Sequence, residues 1–211
     1  MTGGASPSGR RIGFGTYRGV TLEVAVWDAV GADVDLSCAC MFTHEIGLGP
    51  TGGLADLDGA LSGALLALRR DGIFRGELMD TLMLIPPASR IRGRALLIVG
   101  LGDPNAWDAL VMSRVTRYIV AAANNRGAAS TGIAPGLLDS GLSAALTHGG
   151  SEMMLDGVVA GIDAAYHLAD IGLAPPPSLT TWTFGAGPAH AEDVAEHLCR
   201  SLPNVTAAAS K

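Results

Sequence analysis

One continuous stretch, residues 47–104, constrains most strongly how this chain can fold. It begins with a glycine-rich loop, continues into a helix-patterned segment, and ends with two apolar segments separated by a short loop. Within the patterned segment, leucines recur at three- and four-residue steps: Leu54, Leu57, Leu61, Leu65 and Leu68. This spacing predicts one helix, ending near Gly72, with a single face against a core. The order of loop, helix and strands predicts an α/β domain.

Two segments before the loop predict strands. Residues 20–27 alternate between apolar and polar side chains, and residues 34–42 are almost wholly apolar. A continuously apolar strand is buried on both faces, which favours a sheet covered by helices. Further strands are predicted at 78–85, 94–99, 128–134 and 179–184, and further helices at 106–124, 152–168 and 190–202. The pattern therefore predicts a three-layer α/β/α domain with a mixed or mostly parallel sheet.

The length of 211 residues fits one ordinary domain, and a hydrophobic content of 48% is ample for its core. We expect residues 1–11 to be a flexible lead-in and residues 12–211 to form a single domain. Its last β-α unit, residues 178–202, follows a proline-rich connection.

The net charge of −6 repels polyanions at long range. Arginines cluster at residues 10–18, 69–75 and 90–94, and ordinary solvated loop arginines are the favoured interpretation of each cluster. Nucleic-acid binding is therefore not expected.

Cellular location is indicated by what the sequence lacks. Its first residues contain no apolar signal-peptide core, and no window has the length of a membrane span. No CxxC motif occurs, and Cys38 and Cys40 fall two apart in an apolar strand, so we expect both to be buried on one face. These features predict a reducing, cytoplasmic setting without membrane association.

The glycine-rich loop is a candidate phosphate site, because free amides and the helix dipole favour an anion there. Its glycines are Gly47, Gly49, Gly52 and Gly53. Against that role, Asp56 and Asp58 are expected to place negative charge on the same helix end, so a structural turn is the favoured interpretation. The later sequence Gly100-Leu101-Gly102 lacks the rest of a dinucleotide fingerprint and predicts a tight strand-to-helix turn.

Candidate metal-binding and catalytic residues are few. One helical face carries His190, Asp193, Glu196 and His197, which could chelate a metal, although a solvated acidic face is the favoured interpretation. No GxSxG elbow occurs, and a hydrolase built on His148 and Ser151, or on this acidic helix, is the weakest of the hypotheses. We therefore predict no catalytic residue, no metal site and no cofactor.

Several motifs along the chain resemble those of one family. They are Leu57-Asp58-x-x-Leu61-x-Gly63, Gly72-x-Phe74-x-Gly76-Glu77, Thr81-Leu82, Leu97-x-Val99-Gly100-Leu101-Gly102 and the alanine-rich helix 157–166. In this order and spacing they resemble the N-terminal domain of the leucyl aminopeptidases, the M17 metallopeptidases, over about residues 20–202. The resemblance implies a macro-like fold with a mixed central sheet.

In the full-length enzymes of that family, a separate catalytic domain follows and holds two metal ions through a lysine and several carboxylates. The sequence motifs that supply this lysine and these carboxylates in the family do not occur here, and Lys211 is the sole lysine. The resemblance therefore implies a free-standing, non-catalytic relative that acts as an assembly or regulatory module. Its expected partner is a second copy of the chain or a separately encoded catalytic subunit.

The macro-like fold also implies an alternative function, because its relatives bind ADP-ribose or nucleotides. In this hypothesis the loop at 47–53 and the turn at 100–102 form the cleft. The expected ligand contacts are Gly49, Gly52, Gly53, Gly100, Gly102 and His44, with Asn124 and Asn125 as further polar candidates.

Overall fold

The computed structural model describes residues 9–45, 51–87, 90–137, 140–143 and 147–209. Its strands are β1 (Arg11–Tyr17), β2 (Val20–Val26), β3 (Leu36–Phe42), β4 (Thr81–Leu84), β5 (Ala95–Gly102), β6 (Ser130–Ala134) and β7 (Thr181–Ala186). Its helices are α1 (Gly52–Ala60), α2 (Ala64–Arg70), α3 (Leu110–Asn125), α4 (Gly150–Asp170) and α5 (Ala191–Ala209), with a 3-10 turn at Pro104–Ala106. Throughout these ranges, no helix is long and apolar enough to cross a membrane.

The described strands form one sheet in the order β1-β2-β7-β6-β3-β5-β4. The five central strands are parallel to one another, whereas β1 and β4 are antiparallel to their neighbours at the two edges. The sheet is therefore mixed, and the predicted α/β architecture is confirmed. The sequence patterns missed β1, because its four polar or glycine positions hide the alternation.

Helices cover both faces of the sheet, and β3 shows why the sequence requires this. All its side chains are buried; Cys38 and Cys40 face the core shared with α3, α4 and α5, whereas Ala39 and Met41 face α1 and α2. The prediction that both cysteines are buried on one face is thus confirmed. Burial raises the pKa of Cys40 to about 12 and that of Cys38 well above its usual value, so neither thiol ionises at neutral pH.

The leucine stripe forms two helices rather than the single helix predicted. The chain breaks at residues 61–63, where Ser62 and Gly63 have φ of 61° and 79°. Asp58 is buried beside this break and accepts a hydrogen bond from the Leu66 amide (3.1 Å), which caps α2. The periodicity still identified the core correctly at four positions, since Leu54, Leu57, Leu61 and Leu65 are all buried.

Arg69 is a second correction, because a solvated arginine was expected and the residue is only 2% exposed. Its Nη2 donates to the Thr43 carbonyl oxygen (2.8 Å). Burial lowers the pKa of Arg69, and the nearby Glu45 carboxylate opposes that change. A side chain at the end of α2 thus reaches under the loop that follows β3.

The segment Gly100-Leu101-Gly102 is part of β5, not the predicted strand-to-helix turn. A Cβ on Gly100 would lie 2.0 Å from the Glu77 carbonyl oxygen, so glycine is needed where residues 76–78 cross the strand. The turn comes later: Asp103 accepts from the Asn105 amide (2.9 Å) and Pro104 begins a 3-10 turn. For that reason α3 begins at Leu110, not at residue 106.

Candidate ligand-binding cleft

A cleft of about 980 Å³ opens at the carboxyl ends of three adjacent parallel strands. Val26 ends β2, Ala186 ends β7 and Ala134 ends β6, and all three residues line it. In open α/β sheets the crevice outside the carboxyl ends of the strands is where ligands bind. The topology alone therefore makes this cleft the candidate site.

Helix N-termini from both layers border the cleft. Gly52 and Gly53 belong to the first turn of α1, and Gly150 and Ser151 to the first turn of α4. First-turn amides have no partner within their own helix, and they favour negatively charged ligand groups. The N-terminus of one helix from each layer therefore borders the cleft.

Trp27 forms part of the floor, which the sequence patterns did not identify. Its indole lies against Gly132 and Gly185, where an added Cβ would be only 3.0 and 3.1 Å from ring atoms. The Arg11 guanidinium lies 4.7 Å from the ring centroid and forms an ion pair with Glu23, which anchors the strand beneath. Two strand glycines and a paired arginine therefore fix the position of this indole at the cleft.

Asp28 follows directly and also lines the cleft. Its Oδ1 accepts hydrogen bonds from the amides of Val30 (3.1 Å) and Gly31 (2.7 Å), forming a local turn after β2. The turn holds the carboxylate at the cleft wall. A hydrogen-bond donor on a ligand at this wall could therefore donate to the Asp28 carboxylate.

The described lining residues include no lysine or arginine. Ionisable lining side chains are Asp28, Asp56, Asp193, His190 and His197. An anionic group in the cleft would therefore depend on backbone amides and helix dipoles rather than on a paired cation.

The predicted obstacle to anion binding is smaller than expected. The first turn of α1 contains no acidic residue, because the helix begins at Gly52 and the aspartates lie further along it. Asp58 points into the body of the protein toward α2, and only Asp56 lines the cleft. The expectation that both carboxylates occupy the helix N-terminus was wrong.

The predicted ligand contacts separate into two groups in the structure. Gly52 and Gly53 line the cleft, whereas Gly49 lies, with Gly47, outside the described residues. Gly100 and Gly102 lie instead in β5 against residues 76–78.

His44 lies apart from the described cleft lining, as Gly100 and Gly102 do. Its Nε2 is 3.2 Å from the Ser140 carbonyl oxygen, and its ring contacts Phe42. The structure thus places three of the predicted contacts in the body of the fold.

Asn124 serves the fold at the opposite end of the sheet. Its Oδ1 accepts from the amides of Ser178 (2.8 Å) and Leu179 (3.2 Å), which directs the chain into β7. It does not lie among the described cleft residues. Asn125 is likewise absent from that set.

The acidic face of the C-terminal helix is divided between the cleft and solvent. His190, Asp193 and His197 line the cleft, while Glu196 points away and pairs with Arg200 (2.7 Å). Across the described residues, no group of three or more His, Cys, Asp or Glu side chains is arranged to hold a metal.

Of the two hydrolase candidates, only one is among the described lining residues of the cleft. Ser151 lines the cleft at the start of α4, whereas His148 is exposed.

Residues 185–188, Gly-Ala-Gly-Pro, connect β7 to α5 and form a wall of the cleft that the sequence analysis did not identify. Glycine and proline between a strand and a helix were the available signal.

Solved structures similar to this chain include both macrodomains and an aminopeptidase. The Oceanobacillus iheyensis macrodomain with ADP matches at TM-score 0.62 and 10% identity, covering 92% of this chain and 97% of that one. The Trypanosoma brucei macrodomain in complex with ADP-ribose matches at TM-score 0.58 and 15% identity, covering 86% of this chain and 69% of that one. A mutant of tomato leucine aminopeptidase matches at TM-score 0.62 and 23% identity over 86% of this chain.

The chain spans 36% of the length of that aminopeptidase. No protein-family model and no curated protein matches the chain. At these identities the likeness establishes the fold, which is the macro-like three-layer α/β/α fold with a mixed sheet.

Proposed function

We propose that this chain binds ADP-ribose or a related adenine nucleotide in the cleft at the carboxyl ends of β2, β7 and β6. The observation that carries the proposal is the cleft itself, a volume of about 980 Å³ bordered by the N-termini of α1 and α4. This volume is at the upper end of the range for small-molecule sites. A dinucleotide-sized ligand fits it better than a single phosphate does.

The chemistry of the walls supports a ligand with both a diphosphate and an aromatic base. Amides of the two helix N-termini suit the phosphates. Trp27 lines the cleft, and Gly187 has nothing within 4 Å of its Cβ position, so this wall has room for a base. Asp28 supplies an acceptor for an amino group. Macrodomains with this fold include structures with ADP and with ADP-ribose, which favours the same ligand class here.

Isothermal titration calorimetry with ADP-ribose tests the proposal. We expect saturable one-to-one binding with a dissociation constant of about 100 μM or tighter. Ribose 5-phosphate, which lacks the whole AMP half of ADP-ribose, is the control ligand and should bind more weakly. An absence of heat with ADP-ribose, ADP and AMP at millimolar ligand would contradict the proposal.

A second function, assembly, is favoured by the free edge of the sheet at β4. This strand carries no charged side chain, and Met83 and the adjoining Leu78 and Ile85 are 37%, 45% and 74% exposed. An uncharged edge strand is a template for pairing with another chain. The opposite edge, β1, is packed against α5; it carries Arg11, paired with Glu23, and is followed by Arg18, paired with Asp163. We propose that β4 pairs antiparallel with β4 of a second copy.

Light scattering coupled to gel filtration tests this assembly. We expect a dimer of the wild-type chain, and a monomer of Met83→Lys, because a charge on an edge strand opposes strand pairing. The control is Leu173→Lys, at a residue that is 75% exposed after α4, and this variant should remain dimeric. A monomeric wild type contradicts self-assembly through β4, and a mass shift only on adding another protein would indicate a separately encoded partner.

A further inference from the structure

A buried hydrogen-bond network joins the segment that follows β3 to a wall of the cleft. Glu45 is 2% exposed and lies three residues beyond the end of β3. Its Oε2 accepts from the Phe42 amide (2.6 Å), and its Oε1 accepts from the Ser140 hydroxyl (2.8 Å). Ser140 is itself 7% exposed and lies in the connection between β6 and α4.

One end of this contact leads to the cleft. The Ser140 amide donates to the carbonyl oxygen of Gly136 (3.0 Å), which lines the cleft after β6. The Glu45–Ser140 hydrogen bond is therefore a crosslink between the segment that follows β3 and this wall of the cleft.

The β3 side of the crosslink is firmly anchored. The Thr43 amide donates to the Gly102 carbonyl oxygen (3.0 Å), and the Thr43 carbonyl oxygen accepts from Arg69 (2.8 Å). On the Ser140 side, the described contacts include the His44 ring nitrogen, 3.2 Å from the Ser140 carbonyl oxygen. Because β3 is also held by pairing with β5 and β6, loss of the crosslink should release the Ser140 segment rather than β3.

We infer that Glu45 and Ser140 are positioning residues that hold the Gly136 wall of the cleft against the end of β3. A hydroxyl that donates to a buried carboxylate forms one of the stronger hydrogen bonds in proteins. Holding a loop in its binding conformation before the ligand arrives avoids the ordering cost on binding. The part of this inference that concerns affinity rests on the proposed nucleotide function, whereas the loop coupling does not.

Hydrogen exchange of the ligand-free protein tests the coupling. In Ser140→Ala we expect at least about tenfold faster exchange of the Ser140-position and Leu142 amides, with the β3 and β5 amides unchanged. Ser140→Thr keeps the hydroxyl and should restore slow exchange. The control, Ser178→Ala, removes a hydroxyl that donates to Ala128 (3.0 Å) at the far end of the sheet.

Affinity for ADP-ribose is the second readout. We expect binding about tenfold weaker in Ser140→Ala than in wild type, recovery in Ser140→Thr, and no change in Ser178→Ala. Equal loss in Ser140→Ala and Ser178→Ala would indicate general destabilisation and overturn the positioning role. Unchanged exchange in Ser140→Ala would overturn it as well, whatever the ligand.

The two proposals can fail separately. If wild type binds no adenine nucleotide but Ser140→Ala speeds exchange of the Ser140-position and Leu142 amides, the proposed function fails and the crosslink to the Gly136 wall stands. If wild type binds and Ser140→Ala neither weakens binding nor speeds exchange, the positioning inference fails alone.

Discussion

Replacing Gly157 with alanine should destabilise the protein by about 3 kcal/mol, among the larger effects of a single methyl group. Gly157 lies where α4 crosses α3, and a Cβ there would be 2.1 Å from the Ser113 carbonyl oxygen and 2.2 Å from Thr116 Oγ1. Neither neighbour can move cheaply, because one is helical backbone and the other is fully buried and hydrogen-bonded to Met112 and Met154. The two helices must therefore separate.

Urea unfolding measures this change, and Gly59→Ala is the matched control. Gly59 is also helical, but nothing lies within 4 Å of its Cβ position. Alanine there should stabilise the protein by up to about 1 kcal/mol through helix propensity. The same substitution thus has opposite signs at two helical glycines. A Gly157→Ala protein as stable as wild type would contradict the close packing of α3 on α4.

Placing phenylalanine at Gly53 should abolish nucleotide binding, with an affinity loss of at least about 100-fold. Gly53 lines the cleft, and its Cβ position has ordinary contact with the Asp28 side chain, 3.8 Å away. The ring can therefore extend into the cleft without disturbing α1. Calorimetry with ADP-ribose and urea unfolding should together show lost binding in a folded protein.

Gly59→Phe serves as the control, because it places the same ring on the same helix in open space. It should bind ADP-ribose as wild type does. If Gly53→Phe binds within about threefold of Gly59→Phe, the ligand does not use this cleft. That result would move the proposed function to another surface.

Local sequence patterns predicted most helices and strands correctly but did not predict where a helix is interrupted. The leucine stripe identified a buried face correctly, since burial depends on side-chain period. It did not reveal the break at residues 61–63, because Gly63 in a left-handed conformation and the Asp58 cap both depend on how α2 turns onto the sheet. Arg69 illustrates the same limit. An arginine at a helix end predicts solvent exposure, and only the tertiary structure shows that the loop after β3 covers it.

In the candidate site, the residues that the sequence identified differ clearly in kind from those that it did not identify. The glycines at 52 and 53 were found because a glycine-rich loop before a helix is a local signal. Trp27 and the Glu45–Ser140 crosslink had no such signal, and the 185–188 wall had only the glycine and proline between a strand and a helix. Residues 27, 52, 134 and 186 are far apart in sequence and line one cleft only because the parallel strands align their carboxyl ends.

The sequence by itself determined the class of fold, because buried strands and amphipathic helices follow from hydrophobic period alone. Its motifs also pointed to the macro-like arrangement that the solved structures share. Only the tertiary structure decided where a ligand could bind. That choice depends on strand order, which places β2, β7 and β6 side by side and brings two helix N-termini to one cleft. Strand order is set by long-range pairing, and no local pattern in the chain encodes it.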